Sequence, residues 1–331
     1  MDTMLLAADV GGTKTRLGWF HAGADRPTAG VLREYATADF ATLDEAVQRF
    51  LADTGRQPVE AFAAGVAGAV QGTKARLVNA PWVADIEVVR SRLGGCPATL
   101  LNDLEAMASA IPVLVPEELA VLQRGVAVST GNAAVIAAGT GMGQALLHNA
   151  DGRFMPSPSE GGHADFAART PREIALLQAL TRLHGRVDVE RVISGRGLVA
   201  IAGFTHGAAD LVPVCPAIDD VKEAELPAAV SRAALGRHCP RCVEAMDLFV
   251  EAFGAEAGNL ALRSVATAGI YLGGGIAPRI LPALEAGPFM DAFRDKAPMG
   301  DLVRAVPVSV ILNASAGVLG AAVRAAELIR K

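Results

Sequence analysis

The sequence predicts an α/β protein built from two similar halves, on three observations. Short apolar runs of strand length give way to helical patterns. Residues 98–101, for example, stop at a carboxylate and are followed by Leu104, Met107, Ala108 and Ile111 at helical spacing. A strand, a glycine turn and a returning strand occur twice, around Gly11-Gly12-Thr13 and around Gly139-Thr140-Gly141. The 331-residue chain is 51% hydrophobic and contains 35 glycines. That is enough for two substantial cores and suits close packing of helices on sheets.

The elements follow in order. Met4–Val10 reads as a buried strand with Asp9 near its end, residues 11–13 as a tight turn, and residues 15–20 as the returning strand. A third strand is expected near residues 30–35. Leu43, Val47, Phe50 and Leu51 mark an amphipathic helix ending near Gly55. Ala61–Val66 is another buried strand, and residues 86–93 form a helix ahead of the strand at 98–101. After Gly131, Ala133–Ala138 is a strand, residues 144–148 return, and residues 153–155 add a third. Pro171 opens a helix with Glu173 near its positive end, running to Gly185. Residues 190–198 lead into a short helix. Residues 204–226 are polar and proline-rich and predict a surface connection, and residues 227–258 are strongly helical. Residues 270–272 and 308–312 are strands, and residues 317–329 close the chain as a helix.

Composition excludes several classes. Net charge is −5 and no Lys/Arg block occurs, so nucleic acid is not an expected partner. Apolar runs are too short for a membrane span, and Met1-Asp2-Thr3-Met4 has no basic leader pattern, so secretion is not expected. Cys96, Cys215, Cys239 and Cys242 make no disulfide framework, which fits a reducing cytoplasm. Cys239 and Cys242 form a lone CxxC beside His238. Without a second pair they read as two ordinary thiols near a helix start, with no metal.

Several stretches carry chemistry. Asp103 sits where a strand hands over to a helix, and α/β sheets bind ligands at the carboxyl ends of strands. Asn102 or Asp103 could equally be a helix N-cap. The glycine turns elsewhere favour the ligand. In Gly11-Gly12-Thr13 successive N–H groups can point at an anion, and Asp9 at the mouth makes sense if Mg²⁺ lies between carboxylate and phosphate, directly or through water. This is no Walker A loop, because the spacing is absent and a strand follows. Gly139-Thr140-Gly141 would be the facing turn, so that two turns grip a polyphosphate. Glu160 and His163 would share one face of a helix as a metal pair, but Gly161-Gly162 argues against a helix. A carboxylate and an imidazole in a loop suit hydrogen bonding to a polyol. Asn79 is a turn residue or a hydroxyl-binding amide. Glu190 alone reads as a surface charge. Gly273, Gly274 and Gly275 would let a flat ring lie against the backbone, or form a tight turn.

The pieces AADVGGTKTRLG, GVAGAV, LLNDLEAMA, AAGTGMG, SEGGHADFA, ERVISGRGL and LGGGIAPR run through nearly the whole chain. In this order they resemble the bacterial glucokinases of the ATP-dependent, zinc-free type, in the actin/hexokinase/Hsp70 superfamily. The resemblance implies two ribonuclease H-like α/β domains around a cleft. A small domain over residues 1–112 would be completed by the C-terminal helix at 316–331, with a large domain over 113–315. Asp103 would take the proton of the sugar 6-hydroxyl, and Asn79, Asn102, Glu160, His163 and Glu190 would bond the other hydroxyls. Asp9, Gly11, Gly12 and Thr13 would serve the first phosphate turn and Mg²⁺, with Asp9 acting through water. Gly139, Thr140 and Gly141 would serve the second turn, and Gly273, Gly274 and Gly275 would border the adenosine. Val78 stands where the family usually has Thr, and Asn313-Ala314 where it usually has Asn-Pro. The cysteine-rich zinc motif that a related repressor/kinase group carries after its Glu-x-Gly-His loop is missing.

The implied activity is transfer of phosphate from Mg-ATP to glucose, giving glucose 6-phosphate and ADP, by a cytoplasmic homodimer without nucleic-acid or membrane partners. Such transfer asks the protein for positioning and charge stabilisation. A cleft that closes only around sugar keeps water from being phosphorylated. The alternatives are a kinase for mannose, fructose or glucosamine, or a catalytically idle sugar-binding protein.

Overall fold

The computed structural model describes residues 3–77, 82–218 and 221–330. Asn79 lies outside them. The chain divides into two compact units, one of Met1–Glu118, Phe154–Pro158 and Asn313–Lys331, the other of Leu119–Arg153 and Ser159–Leu312.

The first unit opens with strands β1 (Met4–Val10), β2 (Lys14–His21), β3 (Thr28–Ala36) and β4 (Ala61–Val66). A small antiparallel sheet of β5 (Val70–Gln71), β6 (Lys74–Arg76) and β7 (Val83–Asp85) follows, and then β8 (Ala98–Asn102). The main sheet has the order β3-β2-β1-β4-β8. Strand β1 runs antiparallel to β2 and parallel to β4, which runs parallel to β8. Every residue of β4 is buried, as a parallel strand covered on both faces requires. Helix α1 (Leu43–Thr54) starts where the Thr42 side chain accepts the Glu45 N–H and stops at Gly55, whose φ of 84° ends the helix. Helices α2 (Ile86–Arg92) and α3 (Asp103–Ala110) complete the first pass. The core gathers Trp19, Phe50, Phe62 and Trp82 with the aliphatic faces of the sheet.

The second unit repeats the pattern. The six-stranded sheet is formed by β9 (Leu119–Gln123), β10 (Ala133–Ala138), β11 (Met142–Ala150), β12 (Arg153–Ser159, of which Phe154–Pro158 group with the first unit), β13 (Gly269–Gly273) and β14 (Val308–Ile311), ordered β12-β11-β10-β13-β14-β9. Strand β10 is antiparallel to β11 and parallel to β13, the same relation β1 has to β2 and β4. This is the duplication that the repeated glycine turns imply. Helices α4 (Pro171–His184), α5 (Gly195–His206), α6 (Leu226–Leu235) and α7 (Pro240–Ser264) follow, then the short α8 (Leu281–Glu285), α9 (Pro288–Arg294) and α10 (Gly300–Ala305). Helix α4 carries a full capping box between Thr170 and Glu173.

The last helix, α11 (Ala316–Ile329), belongs to the first unit. It packs so closely on α3 that a Cβ at Gly320 would stand 1.7 Å from the Ala106 carbonyl oxygen.

Two expectations from sequence need correction. The helix expected over 227–258 is two helices, broken at residues 236–239, where Arg237 takes the left-handed conformation at φ 55°. The stretch 204–226 is more than a surface connection. Leu211, Pro213, Cys215 and Ile218 are buried in it, and its first residues complete α5.

Candidate active site

In the first unit, Asp9 stands at the carboxyl end of β1, opposite Arg16 on β2 and Gly65 on β4. The turn after it is tight. Gly11 donates its N–H to the Lys14 carbonyl at 2.9 Å, and Thr37 ties the turn down from outside. The Thr37 hydroxyl donates to the Gly11 carbonyl at 2.7 Å, and its N–H donates to the Thr13 carbonyl at 2.9 Å. Burial of the Asp9 carboxyl pushes it up from the usual carboxylate range to about 6, against the pull of the Arg16 charge. The carboxyl also lies against the first turn of α11, because position 317 has no side chain. A Cβ on Gly317 would come within 2.6 Å of Asp9 Oδ2. A half-buried carboxyl beside a glycine turn is the hard oxygen donor that Mg²⁺ takes together with phosphate and water, so Asp9 fits that ion.

Strand β8 ends at Asn102, and α3 begins at Asp103. The Asn102 side chain is the cap. Its Oδ1 accepts the Leu104 N–H at 2.9 Å, while its amide donates to the Gly68 carbonyl at 3.3 Å. Asp103 is half-buried in the first helical turn, and its Oδ1 shares the Leu104 N–H at 2.9 Å. The N-cap position is thus held by Asn102, and the Asp103 carboxylate follows it with its second oxygen outside that shared bond.

In the second unit three segments are wired together. Glu160 precedes a single 3₁₀ turn, Gly161–His163, and its carbonyl accepts the His163 N–H at 3.0 Å. Glu160 and His163 are both exposed. The His163 ring is fixed by Asp188, whose Oδ2 lies 3.2 Å from Nδ1. A carboxylate only accepts, so Nδ1 carries the hydrogen and Nε2 is left to face outward. Arg186 holds the same loop by donating to the His163 carbonyl at 2.6 Å and to Asp165 at 2.7 Å.

Glu190 is no surface charge. Its Oε2 accepts the Met142 N–H at 2.9 Å, and its own N–H donates to the Gly162 carbonyl at 2.9 Å. It thus ties the turn at 139–141 to the loop at 160–163. A Cβ at Gly141 would lie 2.6 Å from its carboxylate, so a side chain there would push the Glu190 carboxylate aside. The turn closes on itself, Gly139 N–H to the Gly141 carbonyl at 2.8 Å, and Thr140 is exposed at its tip. Gly273 ends β13. Gly274 takes φ 82°, with the Ala138 carbonyl where a Cβ would project, and Gly275 faces open space.

The structure thus places Asp9, Gly11, Gly12, Thr13, Asn102 and Asp103 in the first unit. Glu160, His163, Glu190 and the glycine turns at 139–141 and 273–275 lie in the second. Asp188 was not read from sequence. It is a lone acid 25 residues after His163, and only the isolated bridge between Asp165 and Asp188 brings it to the imidazole.

The glucokinase family model matches residues 6–328. A glucokinase from Nostoc punctiforme is 37% identical, with 98% of this chain and all of that protein aligned. A glucokinase from an Antarctic psychrotroph superposes with a TM-score of 0.85 at 27% identity, covering 99% of this chain and 100% of that one. A ROK family glucokinase from Streptomyces griseus, solved in complex with glucose and AMPPNP, shares the fold. Its TM-score is 0.66 at 21% identity, over 98% of this chain and 99% of that one. A family match from the sixth residue almost to the last, with a relative aligned along its full length, leaves no large part of the chain outside the pattern: this protein belongs to the glucokinase family.

Proposed function

We propose that this glucokinase-family enzyme transfers the terminal phosphate of Mg-ATP to the 6-hydroxyl of glucose. The observation that carries the reading is the division of labour at the start of α3. Asn102 caps the helix, and an acidic residue follows it at the carboxyl end of a central strand. Asp103 is the base. It orients the hydroxyl and accepts its proton as the oxygen attacks phosphorus, and the proton stays on its carboxyl until product leaves. Asn102, Glu160, His163 and Glu190 hold the remaining hydroxyls. Glu160 can accept hydrogen bonds on two oxygens where an amide has one accepting oxygen, and His163 presents Nε2 as an acceptor because Asp188 fixes the other nitrogen.

The backbone N–H groups of the turns at 11–13 and 139–141 hold the phosphates, and residues 273–275 border the adenosine. Asp9 would hold Mg²⁺ through water, and that ion, when bound, neutralises phosphate charge. Supporting the sugar and the nucleotide is the Streptomyces griseus glucokinase solved with glucose and AMPPNP. Supporting the hexose itself is the glucokinase family match. Asn79 is proposed on the sugar side from sequence alone. Among the described residues no helix is long and apolar enough to cross a membrane. A cytoplasmic homodimer is proposed with the rest.

The test is purified protein with Mg-ATP and a panel of glucose, mannose, fructose and glucosamine, following ADP release. Glucose is expected to have the highest kcat/KM. Another hexose ahead of it by about tenfold, roughly 1.4 kcal/mol in transition-state binding, would overturn the substrate assignment and leave the kinase reading in place.

A further inference from the structure

Away from the proposed active site, four ligand-type side chains of the second unit converge from three segments. His206 is the last residue of α5, Cys215 lies in the connection that follows, and Cys239 and Cys242 bracket the first turn of α7. One donor atom from each lies within 4.8 Å of every other. We propose that His206, Cys215, Cys239 and Cys242 bind one zinc ion as a closed, structural Cys₃His site.

The donor set argues for zinc over harder cations. Three thiols and an imidazole are soft and borderline ligands, which select zinc against magnesium or calcium. Four protein ligands fill a tetrahedron and leave no open position, the mark of a structural site. The size also fits. Zinc–sulfur bonds of about 2.3 Å and zinc–nitrogen bonds of about 2.0–2.1 Å give a tetrahedron with edges of about 3.5–3.8 Å. Cys239 Sγ already lies 3.4 Å from His206 Nε2.

The surroundings are those of a ligand set held in place. His206 Nδ1 sits 2.6 Å from the Ala202 carbonyl. A carbonyl only accepts, so the ring hydrogen is on Nδ1 and the Nε2 lone pair faces Cys239. Metal-bound histidines are commonly oriented in this way. Cys239 is the N-cap of α7, at the positive end of a 25-residue helix. Arg241 in turn donates to the His206 carbonyl at 2.8 Å, and the Thr205 hydroxyl donates to the Arg241 carbonyl at 2.8 Å. The end of α5 and the start of α7 are therefore locked together beside the donors. Cys215 and Cys242 are buried, while His206 and Cys239 are partly exposed, which leaves a path for the ion.

The site differs from the cysteine-rich motif of the related repressor/kinase group, which follows the Glu-x-Gly-His loop. Here the ligands lie more than forty residues beyond His163. What the metal would hold is the segment just after α5, fixed at Cys215 to two helices at once.

The test is the full chain, expressed without a histidine tag and purified in reducing, chelator-free buffer. Metal analysis is expected to find close to one zinc per chain. Growth in cobalt should yield protein with a thiolate-to-cobalt charge-transfer band. Cys239→Ser and Cys215→Ser should each lower zinc to a trace. If those variants fold poorly, the wild type still decides the matter. Stripped protein refilled with zinc should protect Cys215, Cys239 and Cys242 from alkylation, while Cys96 reacts in both states. Removing zinc with a chelator should also lower Tm. Only trace zinc after refilling under reducing conditions, equal alkylation of all four thiols with and without zinc, or a disulfide among Cys215, Cys239 and Cys242 in freshly isolated protein would overturn the site. None of these outcomes touches the kinase reading, which the ADP assay decides separately.

Discussion

The Asn313 amide donates to Glu118 Oε1 at 2.7 Å, joining the residue where the chain leaves the first unit to the residue where it returns. Glu118 is also gripped by the Arg26 guanidinium through two bonds of 2.8 Å, a fork-to-fork pair, and Arg26 reaches the Val113 carbonyl at 2.9 Å. One carboxylate thus fastens the outgoing and incoming strands of the crossover. The hydrogen bond from Arg26 is the main reason the Glu118 carboxyl lies below the usual glutamate range.

That pin should be measurable. Glu118→Gln is expected to lower stability by about 1–2 kcal/mol, the low end for a hydrogen-bonded charge because part of the pair is wet. A carboxyl depressed on folding contributes stability above its ordinary value and loses it as pH falls through the lower, folded one. Urea titrations should therefore show wild type and variant converging in acid. A gap that stays constant down through the acid range would mean that packing, and not the charge, sets the difference.

Asp103→Asn should keep the fold and glucose binding but lose turnover. Asn102 still caps α3, so the helix has no reason to fray. A neutral amide cannot take the hydroxyl proton, and general-base contributions run at ~10²–10⁴-fold. Turnover should fall by that order while glucose continues to raise Tm. Near-normal turnover together with an intact melting response would leave the chain without an assigned base.

Glu160→Gln should weaken glucose by about 1.5–3 kcal/mol, the worth of a hydrogen bond to a charged group, and leave the ATP Michaelis constant alone. Steady-state kinetics with each substrate varied separately decide it. Equal rises in both constants would place Glu160 outside the sugar pocket.

Asp9→Asn should stabilise the metal-free protein at neutral pH. Burial raises the folded carboxyl to about 6. Below that value the native state holds a proton that the unfolded chain has already lost, so wild-type stability grows as pH falls through 6 toward the ordinary aspartate range. The amide has no such dependence. The variant should lead by on the order of 1–2 kcal/mol above pH 6, discounted from about 1.4 kcal/mol per unit because solvent still reaches the group. The lead should vanish in acid, and turnover should be lost throughout. A lead independent of pH would mean that Asp9 is not the group that titrates.

Most of the architecture could be read from the sequence because the central strands are short and largely buried, as in β1, β4 and β10. The strands at 4–10, 61–66 and 133–138 lie where the apolar runs place them. The break between α6 and α7 falls at Gly236-Arg237-His238-Cys239-Pro240, where Arg237 turns left-handed; the apolar helical spacing on both sides masked the signal of Gly236 and Pro240. Strand β9 and helices α8–α10 are too short to show a period. For the candidate site, residues carried by a glycine turn stand out, as at 11–13, 139–141 and 160–163. Residues that act through partners do not. Asp188 reaches His163, and Glu190 reaches Met142, across separations that carry no local signature. The same holds for His206 and Cys215, which turn an isolated CxxC into a set of four.

Helix α11 comes after the whole of the second unit in the sequence, yet it supplies the wall against which the Asp9 carboxyl and α3 are packed. During synthesis the first 118 residues must therefore wait with one face of their sheet uncovered while the second unit is made. The second unit, continuous apart from one short excursion, can fold while the ribosome is still working. Completion of the Asp9 surroundings thus waits until the residues of α11 have been made, and a chain stalled before residue 316 would carry the proposed catalytic base on an unfinished scaffold, a natural substrate for chaperones and proteases.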